Sequence, residues 1–345
     1  MLSYGKQTRM KILFDHPSPF LLAHGGFQIQ IEQTKAALES IGVEVEWLRW
    51  WDAGQTGELI HFFSVPRVFY LKQAASRRIP VVTTALFSET CNRPRWKLGL
   101  QGLVTNLILG MPFGNGNKEQ LNWKAYRLCP RLIVGLEAER RVLVKAFGVR
   151  PSAITVVPLG LPEAYLKVGP GSRSESYLIS PGTITPVKKQ VELALLAKTA
   201  QVPVLFVGKP YHSNDCYWQR FQSLIDEKYV HYKPHVEEME QMIGLYQSAR
   251  GFVLFSEFEN WSLVASEAVA CGLPLLVPKQ NWSKERFGNQ ARYFDHHRSS
   301  KNVSVLQQFY KDCPSLSAPA IKLWSWPEIA CQLKDVYEGL ANTSR

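Results

Sequence analysis

The sequence predicts an α/β protein built as two tandem domains, each a parallel sheet covered by helices. Its 345 residues exceed one typical domain and suit two of roughly 150 to 200 residues each. Short apolar runs alternate with helix-like segments along the whole chain, as expected of strands buried on both faces. The alternation lapses between Leu159 and Ser176, where "LGLPEAYLKVGPGSRSES" gathers Gly, Pro and Ser and reads as a linker.

Before the linker the predicted strands are "MKILFD" (10–15), "VEVEWL" (43–48), "LIHFF" (59–63), "IPVVTT" (79–84), "RLIVG" (131–135) and "AITVVP" (153–158). After it come "YLISPG" (177–182), "VPVLFVG" (202–208), "YVHYK" (229–233), "GFVLF" (251–255) and "PLLVP" (274–278). Both halves are Rossmann-like, with expected boundaries at 1–165 and 166–325 and a cleft between them. A last helix, "WPEIACQLKDVYEGLA" within 326–345, carries Pro327 in its first turn and is expected to return to the first domain.

Composition narrows the setting. The six cysteines are scattered without a CxxC pair, which argues against a zinc module and for a reducing, cytoplasmic environment. No apolar run reaches the roughly 20 residues of a membrane span. The net charge of +11 is uneven, with 20 Lys/Arg against 12 Asp/Glu in residues 1–165. That bias suits an anionic partner for the first domain, although no nucleic-acid fingerprint accompanies it. The stretch "RPRWKLGLQGLVTNLILGMPFG" (93–114) sets Arg93, Arg95 and Lys97 beside an apolar run. It reads either as a helix buried in the first domain or as one lying against the inner face of a membrane. Trp47, Trp50 and Trp51 read as packing residues or as flat platforms on which a ligand ring stacks.

The chemistry concentrates in "FSEFENWSLVASEAVACGLPLLVP", where Glu259 and Glu267 flank a strand-loop-helix junction. The helix is expected to begin near Ser262, a good N-cap residue, and to end before Gly272. Ligands of open α/β sheets sit beyond the carboxyl ends of the strands, and the free amides from Asn260 through Leu263 make an anion site there. Carboxylates accept strongly from sugar hydroxyls. A ligand with hydroxyls at both ends and phosphate between them, a nucleotide sugar, answers this pattern.

With "ENWSLVASEAVACGLPLLV" the sequence resembles the retaining GT-B glycosyltransferases of the group 1 family, glycosyltransferase family 4, whose mark is a run such as EGFGLPLLEAMACGxPV. Two further blocks resemble the same family. One is "KILFDHPSPFLLAHGGFQIQIEQTKAALESIGVEVEWL", with Gly25 and Gly26 before an amphipathic helix; the other is "ISPGTITPVKKQVELALLAK", with Gly182 and Lys188. The resemblance runs over roughly residues 10–280. It implies that Glu259 contacts the transferred sugar, that amides of Ser262 and Leu263 meet the diphosphate, and that Glu267 binds the ribose. It also implies that Lys188 offsets leaving-group charge and that backbone around Lys233 lies near the base.

Departures mark this chain. Thr183 stands where the family has an arginine, Lys189 where it has a glycine, and Leu86 where it often has a histidine. His61, His16 and His24 are the alternative candidates on the acceptor side, each equally readable as structural. No Asp-x-Asp occurs, so the metal chelation used by the other main glycosyltransferase architecture lacks its ligands. The implied activity is metal-independent transfer of a hexose from a UDP- or GDP-type sugar to a glycan or lipid-linked hydroxyl, with retention. A non-catalytic nucleotide-sugar or glycan-binding protein on the same scaffold is the alternative.

Overall fold

A computed structural model of the protein describes residues 10–22, 25–86, 89–110, 122–296 and 299–343. The chain divides into two compact units. One holds the described residues up to Leu22, then Phe27–Gly160 and the chain from Trp326; the other holds Leu161–Ser325, with Gly25 and Gly26 counted to it.

In the first unit the strands are β1 (Lys11–Asp15), β2 (Glu44–Trp47), β3 (Leu59–Phe63), β4 (Val81–Thr84), β5 (Arg131–Val134) and β6 (Ile154–Val156). They form one six-stranded sheet in the order β2-β1-β3-β4-β5-β6, and every described pairing is parallel. All five residues of β3 and all four of β4 are buried, so burial is continuous rather than alternating along the central strands. At the edge, Lys11 ties β1 to β2 through Glu44 at 3.2 Å and Glu46 at 2.5 Å. The helix Gly26–Ser40 buries Ile31, Thr34, Ala37 and Leu38 on one face.

The second unit repeats the plan with β7 (Leu178–Pro181), β8 (Val204–Val207), β9 (Val230–Lys233), β10 (Gly251–Val253), β11 (Leu275–Pro278) and β12 (Arg292–Phe294). Its parallel sheet runs β12-β11-β10-β7-β8-β9. The order reverses direction between β7 and β10, as it does between β1 and β3 in the first unit. Such reversals open a crevice at the carboxyl ends of the flanking strands, because the following connections leave to opposite sides. Strand β12 has no counterpart among the predicted strands: "RYF" is too short, and Arg292 is exposed.

The change of unit falls between Gly160 and Leu161, inside the predicted linker but earlier than the expected boundary at 165. The linker is also less bare than expected, since Glu163–Lys167 forms a short helix that buries Tyr165. The terminal helix Trp326–Thr343 belongs to the first unit. It buries Trp326, Ile329, Ala330, Leu333, Tyr337 and Leu340, a stripe at helical spacing.

Candidate active site

Two loops converge at the β7/β10 reversal. After β7 the chain turns at Gly182 (φ +149°) and runs through "TITPVKK" to the helix Gln190–Ala200. The buried Gln190 organises that turn: its Oε1 accepts from the Thr185 amide at 3.1 Å and its Nε2 donates to the Thr183 carbonyl at 2.7 Å. The neighbouring strand end must come very close, since a Cβ on Gly208 would lie 2.0 Å from the Gly182 carbonyl oxygen. Gly208 also has φ +156°, so both space and backbone require glycine there.

After β10 the chain passes through Leu254–Ser256, all buried, to a loop that ends at the helix Leu263–Ala270. Three contacts bind this loop to the one after β7. The Glu257 amide donates to the Val187 carbonyl at 2.8 Å. Lys189 Nζ lies 3.1 Å from Glu257 Oε2, and Lys188 Nζ lies 2.5 Å from Glu259 Oε1. The first ion pair is half open to solvent and adds little. The second is better shielded, with the Glu259 side chain only 9% exposed. Lys188 and Glu259, 71 positions apart in the sequence, therefore meet at the crevice.

Ser262 sits at the N-cap position, yet its hydroxyl makes no cap hydrogen bond. The reason is its backbone: φ 62° and ψ 87° place it in the left-handed region rather than the extended one a capping serine adopts. Its Oγ is buried without a partner, as are Ser256 Oγ, Asn260 Oδ1 and Trp261 Nε1. Buried polar atoms are ordinarily satisfied, so four orphans within seven residues of one loop mark a place that a polar ligand would complete. Beneath the loop, Arg286 stacks on the Trp261 ring at 4.0 Å and donates to the Trp261 carbonyl at 2.8 Å. Burial lowers its pKa to about 9, which leaves it cationic at neutral pH.

Glu267 lies on the second turn of the helix and accepts a 2.7 Å hydrogen bond from the Tyr246 hydroxyl. The residue keeps part of its surface open, but its carboxyl group is crowded by protein. Desolvation raises its pKa to about 7, against the opposing pull of the Tyr246 bond. The buried Tyr246 phenol is in turn pushed well above its usual range, by desolvation first and by the facing carboxylate second. Lys233 ends β9 as an exposed residue whose carbonyl accepts from the Gly208 amide at 3.1 Å. Leu263 opens the helix.

The first unit separates its candidates. His61 is fully buried within β3, with Nδ1 2.7 Å from Tyr337 Oη and Nε2 2.7 Å from Thr84 Oγ1. Burial lowers its pKa to about 3, so it is a neutral core residue with both ring nitrogens engaged. The candidate role given to it on the acceptor side is thus corrected: its strand is central and its ring nitrogens are taken up by Tyr337 of the terminal helix and by Thr84. His16 follows β1 and stacks on Phe20 at 4.5 Å with Trp47 edge-on at 5.8 Å, its Nδ1 buried and unpartnered. Gly25 has φ +131°, a conformation suited to glycine, and Gly26 opens the first helix. His24 lies outside the described residues. Trp50 and Trp51 are exposed, and Leu86, half-buried, follows β4.

Sequence reasoning missed Ser256, Trp261 and Arg286. The first two lie inside the quoted motif but carried no chemical signal of their own. Arg286, in "NWSKERFG", reads as one surface charge among several.

The family described as "Glycosyl transferases group 1" matches residues 168–297. Among curated proteins the chain is similar to a D-inositol 3-phosphate glycosyltransferase of Mycobacterium sp. (strain KMS), 31% identical over 163 residues. It is also similar to the D-inositol 3-phosphate glycosyltransferase of Kineococcus radiotolerans, 28% identical over 170 residues. The matches take in 43% of this chain and span only 36% and 39% of those relatives' lengths. Two solved structures share the fold along nearly the whole chain. Sucrose-phosphate synthase of Thermosynechococcus elongatus has a TM-score of 0.69 at 15% identity, covering 97% of this chain and 100% of that one. HepE of Anabaena, solved with UDP-glucose, has a TM-score of 0.63 at 16% identity, covering 97% and 99%. Residues 168–297 thus match the glycosyl transferases group 1 family, and they are carried on a chain that shares the GT-B fold of those solved structures.

Proposed function

We propose that the protein is a glycosyltransferase that moves a hexose from a UDP- or GDP-type sugar to a hydroxyl of a glycan or lipid-linked acceptor, with retention and without a metal. The observation that carries this reading is the Lys188–Glu259 pair at the β7/β10 reversal, 2.5 Å apart beside a loop of four unpartnered polar atoms. The pair fixes an ammonium where leaving-group charge develops and a carboxylate where sugar hydroxyls need an acceptor, so neither must be ordered when the donor arrives.

In the proposed reaction the bond from the sugar's anomeric carbon to the diphosphate oxygen breaks. The acceptor oxygen bonds to that carbon from the same face, and its proton passes to the departing diphosphate. Lys188 and the amides of Ser262 and Leu263 stabilise the diphosphate, Glu259 holds the sugar and Glu267 accepts from the ribose. The backbone near Lys233 borders the base, and Gly182 lets the diphosphate approach the strand end. Gly25 and Gly26 let backbone come close to the donor, and His16 is assigned to the acceptor side, in a cytoplasmic enzyme.

Calorimetric titration with UDP, GDP and ADP and their hexose conjugates, in the presence of EDTA, tests the reading. One nucleotide is expected to bind, and Glu267→Ala to weaken it at least about tenfold. If no nucleotide binds, the donor-site assignment fails. Thr183 and Leu86, at positions where the family has an arginine and often a histidine, favour a second reading: a nucleotide-sugar-binding protein that does not transfer. Tight binding with no turnover of any conjugate would decide for it.

A further inference from the structure

The helix Arg95–Gly110 is apolar on two opposite faces, and packing among the described residues accounts for only one of them. Leu98, Gly102 and Thr105 form the buried face. It is held so closely against the helix Glu137–Phe147 that a Cβ on Gly102 would lie 2.1 Å from the Lys145 carbonyl oxygen. On the other face Trp96 is 67% exposed, Leu100 56%, Leu103 69%, Val104 42% and Leu107 59%. At about 100° per residue these five fall within an arc of about 100°, a continuous stripe of roughly three turns.

We propose that this stripe is a docking surface for an anionic membrane, on which the helix lies flat. Charge selects the occupant. The helix contains no acidic residue, and Arg93, Arg95 and Lys97, all exposed, cluster at its amino-terminal end. Lys97 lies 5.4 Å from the centre of the Trp96 ring, so a cation and an interfacial aromatic share one end of the stripe. Residues 1–165 carry 20 Lys/Arg against 12 Asp/Glu, a surplus that draws the first unit toward anionic headgroups. No described helix is long and apolar enough to cross a bilayer, so the stripe inserts at the headgroup boundary. An aromatic residue beside basic charge, backed by leucines, is the chemistry of that boundary, where ring, cation and aliphatic chain each meet a matching layer. The surface is independent of the donor-site assignment, which lies in the other unit.

Co-sedimentation of the full chain with phosphatidylcholine vesicles, with and without phosphatidylglycerol, tests this. The wild type is expected to bind the anionic vesicles and to be released by salt. Leu103→Glu combined with Leu107→Glu should reduce the bound fraction about tenfold or more, while Arg93→Gln, Arg95→Gln and Lys97→Gln together should reduce it severalfold at low salt. As a check that does not depend on the folding of the double variant, brominated lipids should quench tryptophan fluorescence less in Trp96→Phe than in the wild type. Binding to neither vesicle, or binding that these substitutions leave unchanged, overturns the proposal. So does self-association without lipid that the double variant abolishes, which would make a second copy the occupant.

Discussion

The helices Leu263–Ala270 and Arg95–Gly110 are both mostly apolar and have opposite fates. In "LVASEAVA" no residue is exposed, and the single charged side chain, Glu267, is forced by its surroundings to a pKa of about 7. In "RWKLGLQGLVTNLILG" only Leu98, Gly102 and Thr105 are buried, and five large apolar side chains face outward. More widely, among the described residues, twelve of the fifteen exposed large hydrophobic residues belong to the first unit. Apolar character therefore has two uses here. In the second unit it strips water from a carboxylate, and in the first it is left as surface.

Substitutions can break this contrast or sharpen it. The largest effect is expected at Lys188: Lys188→Ala should lower turnover by about 10²- to 10³-fold, measured as kcat on whichever donor binds, with a smaller change in nucleotide affinity. Next, Gly102→Val puts side-chain atoms against the Lys145 carbonyl and should cost roughly 1–3 kcal/mol or more in denaturant unfolding, because backbone cannot yield as a side chain can.

Glu267→Gln sharpens the contrast through pH. The folded carboxyl titrates near 7 and the unfolded one near its ordinary 4.5, so the folded state keeps a proton that the unfolded chain releases. Stability is therefore fully present below about 4.5 and is lost as pH rises through about 7. The amide removes that loss. Glu267→Gln should match the wild type at pH 4 and exceed it at pH 8 by on the order of 1 kcal/mol, read from urea midpoints. The smallest effect belongs to Leu103→Gln. At 69% exposure it should shift stability by no more than about 0.5 kcal/mol, in contrast to its neighbour Gly102.

Sequence periodicity placed the central strands well because their runs are buried from end to end, as in "LIHFF" and "VLFV". It failed on "RYF", an edge strand of three residues with too few apolar positions to show a pattern. The site divides the same way. Glu259, Lys188 and Glu267 could be read from motif blocks, and the spatial meeting of Lys188 with Glu259 follows from strands β7 and β10 being neighbours in the sheet. The backbone of Ser262 could not be read, because a serine before a helix predicts an extended cap and only the folded loop imposes φ 62°. Nor could Arg286, whose role depends on the Trp261 ring above it. His61 looked available in the sequence, because nothing local announces that Tyr337, 276 residues later, occupies its Nδ1.

That last contact has a consequence for biogenesis. The first unit is discontinuous: residues up to Gly160 wait for Trp326–Thr343 to supply Tyr337 to His61 and the apolar stripe that covers the sheet. The second unit, Leu161–Ser325, is contiguous apart from Gly25 and Gly26, so during vectorial synthesis it can fold while the first is still incomplete. The part made first is thus the part finished last, and its core stays incomplete until the closing helix emerges.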